Sequence, residues 1–461
     1  MPVPPPPPNG RPARATDQPA LPPGFVLGTS TSAFQIEGAA AEDGRGPSVW
    51  DTFSRQPGRI KDGSTGEVTS DHYHRLEEDL GLLRDLGAPA YRFSLSWSRL
   101  LPQGRGTPNR KGLDFYDRLI DGLCEAGIEP MATLFHWDLP QALEDDAGWI
   151  NRATVDAFAE FAALAGERYA DRVAHWIPIN EPNVVMLMGH SLGMHAPGRA
   201  LMFDGLPVAH HLLLGHGRAA IALREAGARS VGCANNHAPM WPASEDAADV
   251  GATKLFDAIW NGLFLEPMLL GRYPVDLAPL LEEVVAPGDL AVIRQPLDFY
   301  GVNYYQPFKI GAAPEDAEMP FRMLELLGYP VTGFGWPIVP DALREWLIMF
   351  RARFRAALPP IVVTESGCSY ADEPGADGTV DDQERIDYLN AHLRAVAEAA
   401  QRGVDVRGYY AWSLLDNWEW TEGFTQRFGL VHVDFETGER TPKKSFGWYR
   451  DLIAAQSRSI G

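Results

Sequence analysis

Short runs of apolar and aromatic residues recur along the chain at fairly regular intervals. Eight of them have the length and the near-continuous hydrophobicity of strands that are buried on both faces, as in a parallel sheet. These runs span residues 25–34, 88–97, 128–137, 172–181, 230–239, 297–306, 361–366 and 407–415. The pattern therefore predicts eight parallel strands.

The segments between these runs repeat apolar residues at helical spacing. In residues 383–402 one apolar stripe recurs in steps of three and four, formed by Ile386, Leu389, Leu393, Val396 and Ala400. Three charged residues lie outside this stripe, namely Arg385, Arg394 and Glu398. Similar patterns predict helices at 111–126, 152–170, 207–226 and 341–357. Three helices are followed by a glycine where a left-handed cap is expected, at Gly127, Gly227 and Gly403.

Alternation of strands and helices over roughly 440 residues predicts an α/β fold, a single (β/α)8 TIM barrel with long βα loops. We assign this domain to residues 24–461. A doubly wound parallel sheet is the alternative, but no glycine-rich fingerprint follows a strand. Residues 1–23 are rich in proline and contain no aromatic residue, which predicts a disordered extension; an SH3-like partner is the less favoured interpretation.

Composition narrows the function classes. The chain has 461 residues and a net charge of −21, from 61 acidic and 40 basic residues, so binding to nucleic acid is not expected. The same charge weighs weakly against acidic or phosphorylated substrates. Three widely spaced cysteines fit a reducing compartment rather than a disulfide scaffold. With no apolar run long enough for a membrane span and no secretory signal, we expect a cytoplasmic location.

Polar and aromatic side chains follow every one of the eight predicted strands. The carboxyl ends of the strands are where a (β/α)8 barrel carries its active site. A purely structural barrel would not need such side chains after all eight strands. In chain order they are Gln35, Glu37, Arg92, Trp97, His136, Trp137, Asp138, Asn180, Glu181, Asn236, Asn303, Tyr305, Glu365, Trp412, Glu419 and Trp420.

Two of these residues are carboxylates that suggest a reaction. Glu181 in PINEP and Glu365 in VTESG end the fourth and seventh predicted strands, so they can face each other across the barrel mouth. Glycoside hydrolysis needs such a pair, one protonated and one ionised. Amide and imidazole donors suit sugar hydroxyls, and indoles suit the apolar face of a sugar. Each glutamate taken alone is equally well an ordinary loop acid, but the surrounding polar set favours the catalytic interpretation.

Ordered motifs then connect the chain to a known family. They are SAFQIEG, DHYHR with EED, YRFSLSWSR, LFHWDLP, INEP, HAPG, FYGVNYY, VTESG, AWSLLDNWEW and RFGLVHVD with RTPKKS. With these motifs the sequence resembles the glycoside hydrolase family often called family one, which contains β-glucosidases, β-galactosidases and related retaining enzymes. The resemblance covers about residues 24–453.

The resemblance implies roles for the matching positions. Glu181 matches the general acid/base, and Glu365 matches the nucleophile that forms a glycosyl-enzyme. Arg92 and Tyr305 would hold Glu365 ionised and aimed. Two carboxyl groups about 5–5.5 Å apart would give retention of the anomeric configuration.

The resemblance also implies a set of substrate-binding residues. These are Gln35, His136, Trp137, Asn180, Asn303, Tyr305, Trp336, Trp412, Glu419 and Trp420. Gln35 and Glu419 would bind the 3- and 4-hydroxyls of the sugar, and Glu419 also the 6-hydroxyl. Asn180 would bind the 2-hydroxyl, Trp412 would lie under the apolar sugar face, and Trp336 would lie on the aglycone side.

The expected activity is retaining exo-hydrolysis of terminal β-D-glucosyl residues, with side activity on β-galactosides or β-fucosides. Glu419, followed by Gln426 rather than a lysine, favours an unphosphorylated sugar. Ser366, after the nucleophile, stands where the family usually has Asn, and the polar contact can survive this change. Asn183 and Pro337 depart from the usual family residues on the aglycone side, so the resemblance says least about which leaving group the enzyme prefers. Transglycosylation at the same site and a non-catalytic sugar-binding protein are the alternatives.

No cofactor or metal is expected, and no partner beyond a small β-glycoside. The histidine pairs of the sequence lack the ligand spacing of a metal site, so we interpret them as structural: His72, His74, His210, His211 and His216. The sequence does not indicate an oligomeric state.

Overall fold

The computed structural model describes residues 19–458. Of the predicted proline-rich extension, residues 1–18 lie outside the described residues. The described chain forms the strands β1 (Val26–Ser30), β2 (Ala90–Ser94), β3 (Glu129–Phe135), β4 (His175–Ile179), β5 (Cys233–Asn236), β6 (Met240–Pro242), β7 (Tyr300–Asn303), β8 (Phe308–Ala312), β9 (Phe321–Leu324), β10 (Ile361–Ser366), β11 (Val406–Trp412), β12 (Val431–Val433) and β13 (Arg440–Pro442).

Eight of these strands form one parallel sheet in the order β4-β3-β2-β1-β11-β10-β7-β5. Parallel bridges between Trp176 and Val231 and between Asn180 and Ala234 join its two edges, β4 and β5. The sheet is therefore a (β/α)8 barrel; seven of its strands fall within the predicted runs, and β11 begins one residue before its run. The fold prediction is confirmed.

Helices surround the barrel and cover its outer face. They are α1 (Ala33–Ile36), α2 (Val49–Ser54), α3 (Leu76–Leu86), α4 (Trp97–Leu100), α5 (Arg110–Glu125), α6 (Gln141–Glu144), α7 (Ala153–Tyr169), α8 (Pro182–Val184), α9 (Leu206–Glu225), α10 (Ala247–Asp257), α11 (Leu263–Leu270), α12 (Asp289–Ile293), α13 (Pro340–Phe354), α14 (Gln383–Gln401) and α15 (Lys444–Arg458). Two π-helical segments, π1 (Val185–Ser191) and π2 (Ala258–Gly262), continue α8 and α10. None of the helices between residues 19 and 458 is long and apolar enough to cross a membrane.

The five helices predicted from apolar spacing are α5, α7, α9, α13 and α14, with ends that differ by up to three residues. Gly127, Gly227 and Gly403 each adopt a positive φ, at +71°, +98° and +88°. These left-handed residues end their helices as expected.

One position on α14 differs from the prediction. Arg385 was expected among the residues outside the apolar stripe, but its side chain is almost fully buried. It forms ion pairs with Asp372 and Asp382 and donates to the carbonyl oxygen of Cys368. A buried guanidinium needs such partners. Helical periodicity does not reveal them, because they lie in the loop before α14 and not on the helix.

Arg385 belongs to a buried ionic cluster that joins the loops after β10 and β11. Lys443 Nζ lies 2.7 Å from Asp372 and 2.8 Å from Asp416, and it is completely buried. Arg427 contacts Asp416 at 3.0 Å. Because β10 and β11 both end in site residues, the cluster fixes the relative position of two loops at the barrel mouth.

Two small sheets stand beside the barrel. β6, β8 and β9 form the first, and β12 pairs with β13 in the second. Residues 311–335, which look loop-rich in sequence, contain the antiparallel partner of β8, namely β9. The β8–β9 hairpin lies at the barrel mouth because β8 closely follows β7.

Close contacts between strands leave no room for a side chain at Gly301. A Cβ atom on Gly301 in β7 would lie 2.0 Å from the carbonyl oxygen of Cys233 and 2.8 Å from Cγ2 of Thr364. We expect Gly301→Ala to lower the free energy of unfolding by about 3 kcal/mol. Gly251→Ala is the matched control, because Gly251 is exposed in α10 with no atom in reach of its Cβ, and it should gain up to about 1 kcal/mol. Denaturant unfolding of both variants measures the difference; equal stability of Gly301→Ala and wild type would contradict this packing.

Candidate active site

Two buried carboxyl groups face one cavity at the carboxyl ends of the barrel strands. Glu181 directly follows β4 and is 4% exposed, and Glu365 lies in β10 and is 3% exposed. Both line a cavity of about 520 Å³. The two glutamates singled out in the sequence are thus brought to the same site.

Glu365 is held by a cation and a phenol. Arg92 Nη1 donates to Glu365 Oε1 at 2.5 Å, and the Tyr305 hydroxyl donates to Oε2 at 2.8 Å. Arg92 is fixed in turn by the carbonyl oxygen of Thr364 and the hydroxyl of Thr133. Both carboxylate oxygens therefore have a donor, which favours the ionised form of Glu365.

Glu181 has only neutral partners. Its Oε1 accepts from Asn303 Nδ2 at 2.8 Å and from Asn236 Nδ2 at 3.1 Å. No ion pair within residues 19–458 includes Glu181. Because both amides contact Oε1, the other oxygen, Oε2, is free to carry a proton into the cavity.

This difference in partners gives the two carboxyl groups different pKa values. Burial, together with the negative charge of Glu365, raises the pKa of Glu181 to about 8. Burial also raises the pKa of Glu365, but the Arg92 guanidinium and the Tyr305 hydroxyl oppose that rise. Glu365 therefore ionises first, and Glu181 stays protonated at neutral pH. One acid and one anion in a single site are what the two steps of glycoside hydrolysis require.

Asn180 connects the glutamates to the rest of the site. Its Oδ1 accepts from Arg92 Nη2 at 2.6 Å and from Asn303 Nδ2 at 3.0 Å. Its Nδ2 lies 3.1 Å from Nε2 of His136. Burial holds the pKa of His136 well below its usual value, so the ring is neutral and accepts this hydrogen bond through Nε2.

A second polar group lies on the opposite side of the cavity. Gln35 Nε2 is 3.1 Å from Glu419 Oε2 and 3.0 Å from Asn417 Oδ1, while Ser32 donates to Gln35 Oε1 at 2.6 Å. Burial and the charge of Glu365 raise the pKa of Glu419 to about 8. Glu419 lines the cavity, and Gln35 holds its carboxyl group from behind.

Indole rings line the cavity beside the two glutamates. Trp137, Trp412 and Trp420 line the cavity, and the rings of Trp137 and Trp420 lie 4.5 Å apart. Trp336 lines it on the side of the nucleophile, with its ring 5.2 Å from that of Tyr305. The catalytic and substrate-binding residues that the family resemblance implies thus lie at the cavity or bond directly to residues that line it.

Three of the site residues have strained backbones. Glu181, Trp137 and Trp420 adopt φ angles of +47°, +81° and +49°, in the left-handed region that residues with a side chain rarely occupy. Such strain persists only where the surroundings impose it, and it is typical of functional sites.

Some strand-end residues do not reach the cavity. Trp97 stacks on Phe161 at 5.2 Å inside the fold, and Glu37 pairs with Arg99 at 2.8 Å. The carboxyl group of Asp138 is buried without lining the cavity, and burial raises its pKa to about 8.

Other contributors were not selected from the sequence. Asn236 was noted only as a strand end, yet it bonds to Glu181. Asn417 accepts a hydrogen bond from Gln35 and so positions it. It lies in the loop after β11, where no strand or helix periodicity points to it. Trp50 packs 4.6 Å from Trp420 and lies on α2, outside any strand end. The position of Asn236 at the end of a strand is the sequence signal that could have identified it as a site residue. No sequence signal identifies Trp50.

The histidine pairs have structural partners. His72 contacts Asp79 at 2.7 Å, His211 contacts the carbonyl oxygen of Trp149 at 2.8 Å, and His210 lies between Tyr273 and Asp289. Among the described residues, no group of three or more His, Cys, Asp or Glu side chains is arranged to hold a metal ion. Cys124, Cys233 and Cys368 are all free of disulfides.

Comparison with known proteins decides the family. The family model described as glycosyl hydrolase family 1 matches residues 17–458. The chain belongs to glycosyl hydrolase family 1. It is therefore an enzyme of the glycosyl hydrolase class, and the family resemblance noted in the sequence is confirmed.

Family 1 relatives match the chain over nearly its full length. It is 43% identical to beta-glucosidase A from Acetivibrio thermocellus, over 94% of this chain and 98% of the relative. It is also 43% identical to a bifunctional beta-D-glucosidase/beta-D-fucosidase from Bifidobacterium breve, over 95% of this chain and 99% of the relative. The solved psychrophilic beta-glucosidase BglU from Micrococcus antarcticus is 44% identical, with a TM-score of 0.92 over 95% of this chain and 98% of that one.

The two pKa values near 8 give a test by pH. As the pH rises through about 8, Glu181 loses its proton, so kcat/KM on a glycoside should fall. Glu181→Gln should remove this basic limb on an aryl glycoside with a good leaving group. Glu419→Gln is the matched control, because it removes the other carboxyl with a similar pKa and should leave the limb in place. Persistence of the limb in Glu181→Gln would assign it to another group.

Proposed function

We propose that the chain hydrolyses terminal, non-reducing β-D-glucosyl residues with retention, by a double displacement in which Glu365 is the nucleophile and Glu181 the acid/base. The observation that carries this proposal is the unequal environment of the two glutamates, of which only Glu365 contacts a cation. Relatives named beta-glucosidases, at 43% identity, support the choice of sugar.

In the first step the carboxylate of Glu365 attacks the anomeric carbon. The bond between that carbon and the glycosidic oxygen breaks, and Glu181 gives its proton to the leaving oxygen. The product is a glycosyl ester on Glu365 and a free aglycone alcohol. Arg92 and Tyr305 keep Glu365 ionised and aimed up to this point.

The second step reverses the role of Glu181. Glu365 carries no charge once it is esterified, so the electrostatic contribution that raises the pKa of Glu181 disappears. Glu181 is then the carboxylate that removes a proton from water, and the water oxygen attacks the anomeric carbon. The ester bond breaks, Glu365 regains its charge, and a sugar of unchanged anomeric configuration leaves.

Residues deeper in the cavity would recognise the sugar. The second hydrogen on Asn180 Nδ2 is available to the 2-hydroxyl, since the other contacts His136. Gln35 and Glu419 would bind the 3- and 4-hydroxyls, Glu419 also the 6-hydroxyl, and Trp412 would underlie the sugar face. The galacto epimer differs only at the 4-hydroxyl, so side activity on β-galactosides and β-fucosides is part of the proposal. The name of the Bifidobacterium breve relative fits the fucoside activity.

Substrates proposed for this site are cello-oligosaccharides, and so products of cellulose degradation, together with aryl and alkyl β-glucosides. The sugar is unphosphorylated, because the side-chain partner of Glu419 is the neutral Gln35 and a phosphate placed beside it would be buried without a cation. Faster cleavage of a 6-phosphoglucoside than of the plain glucoside would contradict this. Product analysis at high acceptor concentration separates hydrolysis from transglycosylation. The cytoplasmic location stays a prediction.

Removing each glutamate gives different defects under this mechanism. Glu365→Ala should lower kcat/KM at least roughly 10³-fold on every glucoside, because no covalent intermediate forms. Glu181→Gln should cost about 10²–10⁴-fold on an alkyl glucoside and much less on a dinitrophenyl glucoside, whose leaving group needs no proton. Steady-state kinetics on both substrates measures the pattern.

Glu225→Gln serves as control, since Glu225 is exposed at the end of α9, away from the cavity. Unfolding midpoints near that of the wild type would show that the variants are folded. Activity of Glu365→Ala close to that of the wild type would refute the assigned nucleophile. A folded wild type that cleaves none of these glucosides would favour the sugar-binding alternative.

A further inference from the structure

The cavity extends well beyond the residues that hold the glutamates and the proposed sugar. Glu181 gives its proton to the leaving oxygen, so the aglycone must lie on the side of Glu181. The chain that follows Glu181 enters π1, and the chain that follows its partner Asn303 enters β8. We call the part of the cavity between these two segments the outer cavity.

One wall of the outer cavity comes from π1 and the loop after it. Leu187 and Met188 lie on π1, and Met194 follows it; all three line the cavity. Met194 is 56% exposed, an unusual state for so apolar a side chain. This wall presents mainly aliphatic and thioether groups to the cavity; its polar member is His195, a neutral imidazole because burial lowers its pKa to about 4.

The facing wall is an aromatic cluster continuous with the β8–β9 hairpin. Phe256 lies 4.7 Å from Phe321, and Trp260 lies 5.3 Å from Phe308. Met323 on β9 lines the same cavity and is 60% exposed. Rings in contact with one another restrict each other's motion, so this wall is a firm apolar surface.

Polar partners are scarce between these walls. Asn236 lines the cavity, but its Nδ2 already donates to Glu181. Gln306 is the polar side chain that the β7–β8 connection adds. A second glucose unit carries several hydroxyl groups, and each one buried without a partner costs free energy. The walls therefore suit an apolar aglycone better than a sugar.

Methionine is concentrated at this place. Met188, Met194, Met319 and Met323 line the cavity, four of the eleven methionines in the chain. Methionine side chains are flexible and polarisable, and their sulfur makes favourable contacts with aromatic rings. They can adapt to aromatic groups of different outline.

We propose that the outer cavity is an aglycone site for apolar aromatic groups of at least two rings, clamped between the methionines of π1 and its loop and the aromatic wall of the β8–β9 hairpin. The proposal rests on the glucosidase function proposed above and names the substrate class of that site. It ranks polyphenyl or fused-ring glucosides above cello-oligosaccharides.

The test compares glucosides whose leaving groups have similar acidity. For 4-biphenylyl and phenyl β-D-glucosides, kcat/KM differs through binding of the second ring, because both leave as phenols. The wild type should prefer the biphenylyl glucoside by about tenfold or more. Octyl β-D-glucoside and cellobiose form a second pair, whose leaving groups are an alkanol and a sugar hydroxyl; the octyl glucoside should have the larger kcat/KM although octanol is the weaker acid.

The double variant Met194→Gln/Met323→Gln keeps side-chain length and adds polarity to both walls. It should lower the biphenylyl-to-phenyl ratio about tenfold. Met349→Gln is the matched control, since Met349 is 40% exposed on α13 and does not line the cavity; its ratio should equal that of the wild type.

The outcomes separate the two proposals. A wild-type ratio near one, with phenyl glucoside readily cleaved, would overturn the aglycone site and leave the glucosidase function intact. A double variant whose ratio matches that of Met349→Gln would overturn the role of the methionines. Failure to cleave any of the four glucosides would overturn the glucosidase function, and with it the aglycone site.

Discussion

The ion pair between Arg92 and Glu365 is the interaction on which the site depends. Two carboxyl groups buried in one cavity cannot both be charged at low cost, and a guanidinium beside one of them decides which one ionises. Arg92 also holds Asn180, which joins Asn303 and His136, so the same cation organises the amides around both glutamates. Glu181 is left with neutral amides alone and keeps its proton.

The barrel supplies this arrangement through its geometry. Parallel strands end at one mouth, so Arg92 from β2, Asn303 from β7 and Glu365 from β10 meet although they are far apart in sequence. The buried cluster around Lys443 then ties the loop that follows Glu365 to the loop that leads to Glu419. The outer cavity, by contrast, is made by π1 and the β8–β9 hairpin, which are additions to the barrel.

The features of the fold and site that follow from periodicity and motif were predictable from the sequence. Strand runs located all eight barrel strands, and strand ends located both glutamates with their arginine and tyrosine. Positions that are determined by tertiary contacts were not predictable in this way. Arg385 was placed outside the apolar stripe of its helix, yet it is buried because Asp372 and Asp382, from the loop that precedes the helix, pair with it. Trp50 packs against Trp420 from a short helix, and β9 lies in a stretch whose prolines, glycines and acidic residues read as a loop. These positions depend on tertiary contacts that leave no local pattern.

The most direct test of the central claim is to trap the glycosyl-enzyme. A 2-deoxy-2-fluoro-β-D-glucoside with a dinitrophenyl leaving group removes the 2-hydroxyl contact and slows both steps, while its good leaving group lets the intermediate accumulate. Intact mass and peptide mapping should show one fluorosugar on the peptide that contains Glu365, and none on Glu365→Ala. An adduct on another residue, or rapid turnover of plain glucosides with no adduct at all, would contradict the assignment of Glu365 as nucleophile and Glu181 as acid/base.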